Sequence, residues 1–251
     1  MLTHTIRPRA HGDSGRDYVV TNATDFWLAD HPRARAARRS RARRGAVVLC
    51  LALLGLAAAA SAALPAWYTV RRGDSLSRIS QRLGVRLEDL RRDNGLVGSR
   101  IHPGQRLRLS QPLRGLRERD LRWRRPFAGE PGRRLRGYGP RATAAGMRVT
   151  HTGIDISLPQ GSEVRAPATG VVRYCGPQEG FGTVVIIEHG AGWSSVLAPL
   201  APDTSRVRPG EVVLGGDFLG RTAAPAEGPE PCLHVELRHH GDTADPSRLL
   251  R

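Results

Sequence analysis

The sequence predicts a multidomain chain: an N-terminal membrane segment, a small βααβ module and a C-terminal all-β domain of antiparallel sheet. Three observations carry this. Residues 45–64, GAVVLCLALLGLAAAASAAL, hold no charged residue and approach the ~20 residues a helix needs to cross a bilayer. Between Trp67 and Ser110 a strand-like run, two short runs with apolar stripes and a second alternating run follow in order. Beyond about residue 126, short β-branched runs are punctuated by Gly and Pro, and no useful stretch has helical periodicity.

A chain of 251 residues has room for one or two domains with cores of their own. The net charge is +16 and no Lys occurs, so the excess is carried by Arg. Such a balance favours polyanionic surroundings: nucleic acid, anionic lipid or an acidic wall polymer. Neither a recognition helix nor an aromatic–basic module is present, which sets nucleic acid aside as a partner. Cys50, Cys175 and Cys232 are too few for a disulfide scaffold, and their spacing fits no zinc knuckle or redox motif.

Immediately before the apolar run lies RARAARRSRARR, Arg33 to Arg44, with seven Arg and no acid. The positive-inside rule keeps that end in the cytoplasm and sends everything after residue 65 outward. Residues 1–44 are therefore expected to form a disordered, Arg-rich cytoplasmic tail, and residues 45–64 a signal anchor. The small residues Ala60 to Ala63 also suit a signal peptidase, and cleavage there would release the chain to the periplasm. Cys50 follows Val47-Val48-Leu49 rather than a small residue, so no lipid anchor is expected.

The module at 67–110 opens on Trp67 to Val70, aromatic and β-branched, and turns at Gly73-Asp74. Asp74 or Ser75 can cap a helix striped by Leu76, Ile79 and Leu83 and ended by Gly84. Leu87 and Leu90 mark a second helix closing at Asn94-Gly95. IHPGQRLRL then supplies a turn at Pro103-Gly104 and a last strand with Leu107 and Leu109 on one face. YTVRRGDSLSRISQRLG, DLRRDNG and IHPGQRLRL together resemble the LysM module, a binder of N-acetylglucosamine-containing glycans such as peptidoglycan. The resemblance implies a shallow groove built from Gly73, Asp74, Ser75 and Leu76 and from the segment Asn94 to Ile101. Several of these residues equally suit the turns of the fold itself.

Residues 111–136 carry nine Arg against three acids and are expected to be a charged linker, with a short helix marked by Leu113, Leu116 and Leu121. The domain at 137–251 then reads as short strands, SEVRAPATGVVRYCG, GTVVIIEHG, WSSVLAPL, EVVLGGDFLGRT and CLHVELR, expected to form two antiparallel sheets. HTGIDI sets His151 and Asp155 four apart around a glycine that permits close backbone approach, and His234 stands on a late strand. Two imidazoles and one carboxylate can hold zinc with a fourth position open. By itself the spacing is unspecific.

HTGIDISLPQGSEVRAPATGVVRYCG, GFGTVVIIEHGAGWSSVLAPL and VRPGEVVLGGDFLGRT resemble, in order, the lysostaphin-type (LytM) zinc endopeptidase domain. The resemblance implies that His151, Asp155 and His234 bind zinc. It also implies two histidines that hydrogen-bond the attacking water and the oxyanion; at those positions stand Pro199 and Cys232. Pro offers neither an ionisable side chain nor an N–H. Cys232 leaves three readings open: a buried small residue, a fourth zinc ligand, or a disulfide partner of Cys175. His189, His239 and His240 are expected at the surface.

A LysM module joined to a degenerate LytM domain resembles the NlpD- and EnvC-like murein hydrolase activators. That resemblance implies an inner-membrane-anchored protein with periplasmic domains, partnered by peptidoglycan and by an N-acetylmuramoyl-L-alanine amidase, with no catalytic residue of its own. An active zinc endopeptidase cutting peptidoglycan cross-links is the alternative that the metal triad keeps open. A wall anchor with neither activity is the third.

Overall fold

A computed structural model describes residues 17–19, 65–130, 132–142, 148–178, 181–224 and 230–250. The run at 45–64 lies outside these, and among the described residues no helix is long and apolar enough to cross a membrane. Within the tail expected to be disordered, Asp17–Val19 forms strand β1, in parallel register with residues 148–150.

The βααβ order appears as expected. β2 (Ala66–Thr69) pairs antiparallel with β3 (Arg106–Leu109), and α1 (Leu76–Leu83) and α2 (Leu87–Asp93) come between them in the chain. Ser75, rather than Asp74, caps α1, its Oγ accepting from the Arg78 N–H at 3.3 Å. Gly84 ends the helix at φ 61°, a left-handed conformation that costs glycine little. Leu76, Ile79, Leu83 and Leu90 share a core with Tyr68, Val70, Leu107 and Leu109. Truncating one such side chain to Ala costs about 2–5 kcal/mol, so this small core has little to spare.

The stretch at 111–136 differs from a solvated linker. Leu113 is buried in the module's core, while Leu121 and Phe127 enter the core of the C-terminal domain. Only a 3-10 turn, Glu118–Asp120, forms where a short helix was expected. The chain then enters the main sheet as β4 (Arg134–Arg136). Its Arg excess conceals apolar residues spaced too irregularly to announce an element.

Next come β5 (Gly139–Ala142) and β6 (Arg148–His151), which pair with each other and, through β6, with β1. They are followed by β7 (Ile154–Ser157), β8 (Glu163–Arg165), β9 (Gly170–Gln178), β10 (Gly182–Gly190) and β11 (Trp193–Leu200). β12 (Val212–Val213), β13 (Phe218–Arg221), β14 (Cys232–His239) and β15 (Asp242–Ala244) complete the chain. Where two antiparallel sheets were expected, one eight-stranded sheet dominates, in the order β12-β9-β10-β11-β14-β7-β4 with β15 on β14; β8 and β13 form a separate pair.

The long strands explain both the core and the site. In β14 the side chains alternate between faces. Leu233, Val235 and Leu237 enter the core with Ile154, Ile156, Val185, Ile187 and Leu197. Cys232, His234, Glu236 and Arg238 consequently share the opposite face. A smaller apolar cluster there, Val184, Val196 and Ala198, packs with Tyr174, Phe181 and Ile186.

His189 is a correction. It is fully buried, not a surface residue, because on β10 it shares the strand parity, and so the core face, of Val185 and Ile187. Its Nδ1–H donates to the Thr169 carbonyl at 3.0 Å, so Nε2 of the neutral ring accepts from the Ser195 hydroxyl at 2.8 Å. Burial pushes the imidazole pKa down to about 4. The unfolded chain therefore takes up a proton between pH ~6.5 and ~4 that the folded chain refuses, and stability falls as pH drops through that window. The lowering corresponds to about 3 kcal/mol at most. His189→Gln is expected to flatten this acid slope in urea denaturation at stepped pH; an unchanged slope would place the acid sensitivity elsewhere.

Candidate metal centre

Three strand segments converge on one face of the main sheet. β6 ends on His151, β7 carries Asp155, and β14 sets His234 directly opposite Asp155 in antiparallel register. Gly153 makes the convergence possible, since a Cβ there would lie 2.5 Å from the Val235 carbonyl oxygen and 2.8 Å from His234 Cε1. One donor atom from each of His151, Asp155 and His234 lies within 4.8 Å of the others, and all three residues are buried.

The hydrogen bonds fix which atoms are offered. His151 Nδ1 donates to the Gly137 carbonyl at 2.8 Å, leaving Nε2 to face Asp155 Oδ1 at 3.4 Å. His234 Nδ1 meets the same Oδ1 at 2.6 Å, and its Nε2 lies 3.3 Å from Glu236 Oε1. Each ring thus has one nitrogen tied back to an acceptor and the other aimed at a common point. Metal-binding histidines are oriented in this way, and two imidazoles with one carboxylate suit zinc with a fourth position open. The residues fit the ion.

Without an ion the charges satisfy one another. Burial alone would raise the Asp155 pKa, but His151 and His234 outweigh it and hold the carboxyl well below its usual range. Arg136 adds an ion pair to Asp155 Oδ2 at 3.2 Å. Burial opposes charging of His234 too, yet the carboxylates of Asp155 and Glu236 raise it to about 10. Glu236, 4% exposed, also takes a hydrogen bond from Thr152 and a fork from Arg238 at 3.0 and 2.8 Å. Against burial, these partners bring its pKa down to about 2.

Glu236, Thr152, Arg136 and Arg238 were missed by the sequence reading. For Glu236 and Arg238 a signal existed: in CLHVELR they follow His234 at the strand period of two. Outer partners of this kind typically change metal affinity by about 10–100-fold when mutated. Glu236→Gln is therefore expected to weaken zinc binding by about that factor in a competition titration with a chromophoric chelator. An unchanged affinity would mean that Glu236 does not orient His234.

Cys232 stands two residue pairs beyond His234, opposite Ser157. Its sulfur is not among the donors that converge within 4.8 Å. Burial pushes the thiol up to about 11, with Asp155 adding to the shift. The disulfide reading fails, because Cys175 and Cys232 are both free and the Cys175 sulfur instead meets Ser205 Oγ at 2.8 Å. β9 and β14 are three strand steps apart in the sheet, about 14 Å at the usual spacing and far beyond disulfide reach. Pro199 is half-buried near the end of β11, next to Ala198, which pairs with His234.

In the βααβ module, several residues of the expected glycan groove are committed to the fold. Asp74 accepts from the Tyr68 hydroxyl at 2.6 Å and the Arg71 N–H at 2.8 Å, and pairs with Arg82 at 3.2 Å. Leu76 is core, and Ile101 packs against that core. Asn94 clamps α2 to β3, donating to the Leu90 and Arg108 carbonyls and accepting from the Arg108 N–H at 2.7 Å. Gly73, at φ 84°, is an exposed turn residue. The side chains of His239 and His240 lie near the surface, His239 stacked on Trp193 with ring centroids 4.4 Å apart.

Comparison with known proteins agrees with this division. Residues 68–110 match the LysM domain and residues 149–246 match peptidase family M23, whose peptidases are zinc-dependent. The DD-carboxypeptidase/endopeptidase Mpg of Neisseria meningitidis serogroup B (strain ATCC 13091 / M2091) is 39% identical over 99 residues, 38% of this chain and 22% of that one. The uncharacterized lipoprotein YgeR of Escherichia coli K12 is 29% identical over 207 residues, 73% of this chain and 80% of that one. The cell division protein DipM of Caulobacter vibrioides is 32% identical over 104 residues, 41% of this chain and 17% of that one. The chain thus spans about a fifth of the length of the Neisseria relative.

Proposed function

Because the chain carries a LysM domain followed by a peptidase family M23 domain, we propose that it is a peptidoglycan-binding cell-envelope protein that activates a murein amidase without hydrolysing the wall itself. The observation that carries the reading is the half-built site: three metal donors converge, while Pro199 and Cys232 stand where the resemblance to the LytM endopeptidases implies two histidines. Bound zinc would supply a Lewis acid that polarises a carbonyl and lowers the pKa of water. Pro199 can neither donate nor accept a proton through its side chain. The Cys232 thiol, pushed up to about 11, is a weak proton donor and a neutral one at pH 7. Neither can steady an oxyanion as an imidazole does.

An amidase would be met by the face that carries this centre. That face carries Arg136 and Arg238 at the centre and, further along the sheet, the apolar cluster of Tyr174, Phe181 and Ile186, a mixed character suited to a protein partner. Similarity to a cell division protein supports a role in daughter-cell separation. Dye-labelled sacculi test this directly. The chain should sediment with them and should raise dye release by an added N-acetylmuramoyl-L-alanine amidase; no change in amidase rate would reject the activator role. The endopeptidase reading rests on the intact triad and on similarity to an endopeptidase.

We further place the chain in the inner membrane through residues 45–64, with both domains in the periplasm. That topology and the β1–β6 pairing exclude one another, since the bilayer would separate the paired strands. An N-terminal epitope should resist protease in intact spheroplasts and yield after lysis. Digestion before lysis would favour the pairing, and an epitope absent from the mature chain would show cleavage.

A further inference from the structure

The LysM domain is docked on the M23 domain, not tethered to it. The Trp67 N–H donates to the Gly210 carbonyl at 2.8 Å, and Trp67 bridges Glu211 in parallel fashion. Val171 and Val212 of the M23 domain complete the LysM core. Arg71 forks Asp217 with its two terminal guanidinium nitrogens, one contact being 2.9 Å. Docking turns the outward face of β2 and β3 into one wall of a cleft of about 300 Å³ whose other wall is Arg206, Val213 and Phe218. That is the lower end of the size range of ligand clefts. It lies on the opposite side of the β2–β3 sheet from α1 and α2, so it is not the groove formed by residues 73–76 and 94–101.

Arg71, Arg106 and Arg206 line the cleft with Glu211 and Asp217, which leaves one positive charge over and two guanidinium groups without a carboxylate contact among the described residues. Arg71 and Asp217 satisfy each other, and Glu211 accepts from the Arg208 N–H at 3.1 Å. Arg106 is exposed and stacks over the half-buried Trp67 ring at 4.8 Å. Arg206 is exposed as well. Neither has an acidic partner among the described residues. Guanidinium groups bind carboxylates in a fork geometry, and an aromatic flank accepts the apolar face of a sugar or peptide.

We propose that this interdomain cleft is a second wall-binding site, taking the carboxylate-bearing muramyl–peptide portion of peptidoglycan. The inference rests on the peptidoglycan reading above and deepens it. The LysM groove would hold the uncharged sugar, and the cleft the anionic branch. Because both walls are needed, the site exists only while the two domains stay docked.

The full chain is titrated calorimetrically with two soluble probes. N-acetylmuramyl-tripeptide has carboxylates and no N-acetylglucosamine, whereas chitotetraose has N-acetylglucosamine and no carboxylate. Arg106→Gln/Arg206→Gln should lose about tenfold or more in affinity for the muramyl-tripeptide, and chitotetraose binding should stay within about twofold. Arg206→Gln alone, at an exposed side chain without a partner among the described residues, should lose about threefold with no change in thermal unfolding. Unchanged muramyl-tripeptide affinity in the double variant overturns the proposal. So does an equal loss for both probes, or Arg-dependent binding seen only with phosphatidylglycerol vesicles. Absence of chitotetraose binding in the wild type counts against the LysM groove instead, and leaves the cleft supported if muramyl-tripeptide binding remains Arg-dependent.

Discussion

Pro199→His/Cys232→His, loaded with zinc, is expected to cleave peptidoglycan cross-links at least about 10²-fold faster than the wild type. The metal donors are already assembled: His151, Asp155 and His234 lie within 4.8 Å of one another, and each imidazole is held by a hydrogen bond to its far nitrogen. On the proposed reading, what is lacking is proton transfer and an oxyanion donor. General acid–base help is worth about 10²–10⁴-fold, and one oxyanion donor about 10²–10³-fold. The two restored rings act as a unit, so each single variant should gain much less than the pair. Measured zinc content separates the possible failures. A double variant with zinc bound and no gain would show that the deficit lies beyond these two positions.

Removing the carboxylate at the centre should have the largest effect on stability. Asp155 is 5% exposed and is faced by His151, His234 and Arg136. Asp155→Ala leaves the buried His234 without its carboxylate partner and strips His151 and Arg136 of the same contact, a loss of about 3–5 kcal/mol for a broken buried pair. Urea denaturation in the presence of a chelator measures it without a metal contribution. Arg136→Gln removes a partner that is more exposed and is expected to cost less. If Asp155→Ala cost under about 1 kcal/mol, the cluster would not be holding the sheet edge together.

Period and punctuation made much of this legible. The βααβ order followed from Leu76, Ile79 and Leu83 at helical spacing between Gly73 and Gly84, and from the alternation of Leu107 and Leu109. His151, Asp155 and His234 were legible only through a motif, because nothing local says that β6, β7 and β14 will meet. Glu236 was visible in the alternation of CLHVELR but had no stated role until its partners Thr152 and Arg238 were known. His189 departs from its expected surface position because it shares strand parity with Val185 and Ile187, and the Thr169 carbonyl and Ser195 hydroxyl satisfy both ring nitrogens in the core. The stretch at 111–136 misled by composition: Leu113, Leu121 and Phe127 bury themselves among nine Arg. The docking of the two domains left no sequence trace, since an Arg71–Asp217 pair separated by 146 residues cannot be read from either end.

The most direct test of a wall-bound, non-hydrolytic regulator is mass analysis of soluble products from purified sacculi incubated with the zinc-loaded wild-type chain alone. The expected result is sedimentation of the chain with the sacculi and no soluble peptide or muropeptide above the chelated control. Release of cross-link-derived peptides by the wild type alone would contradict the account and identify the chain as a working endopeptidase.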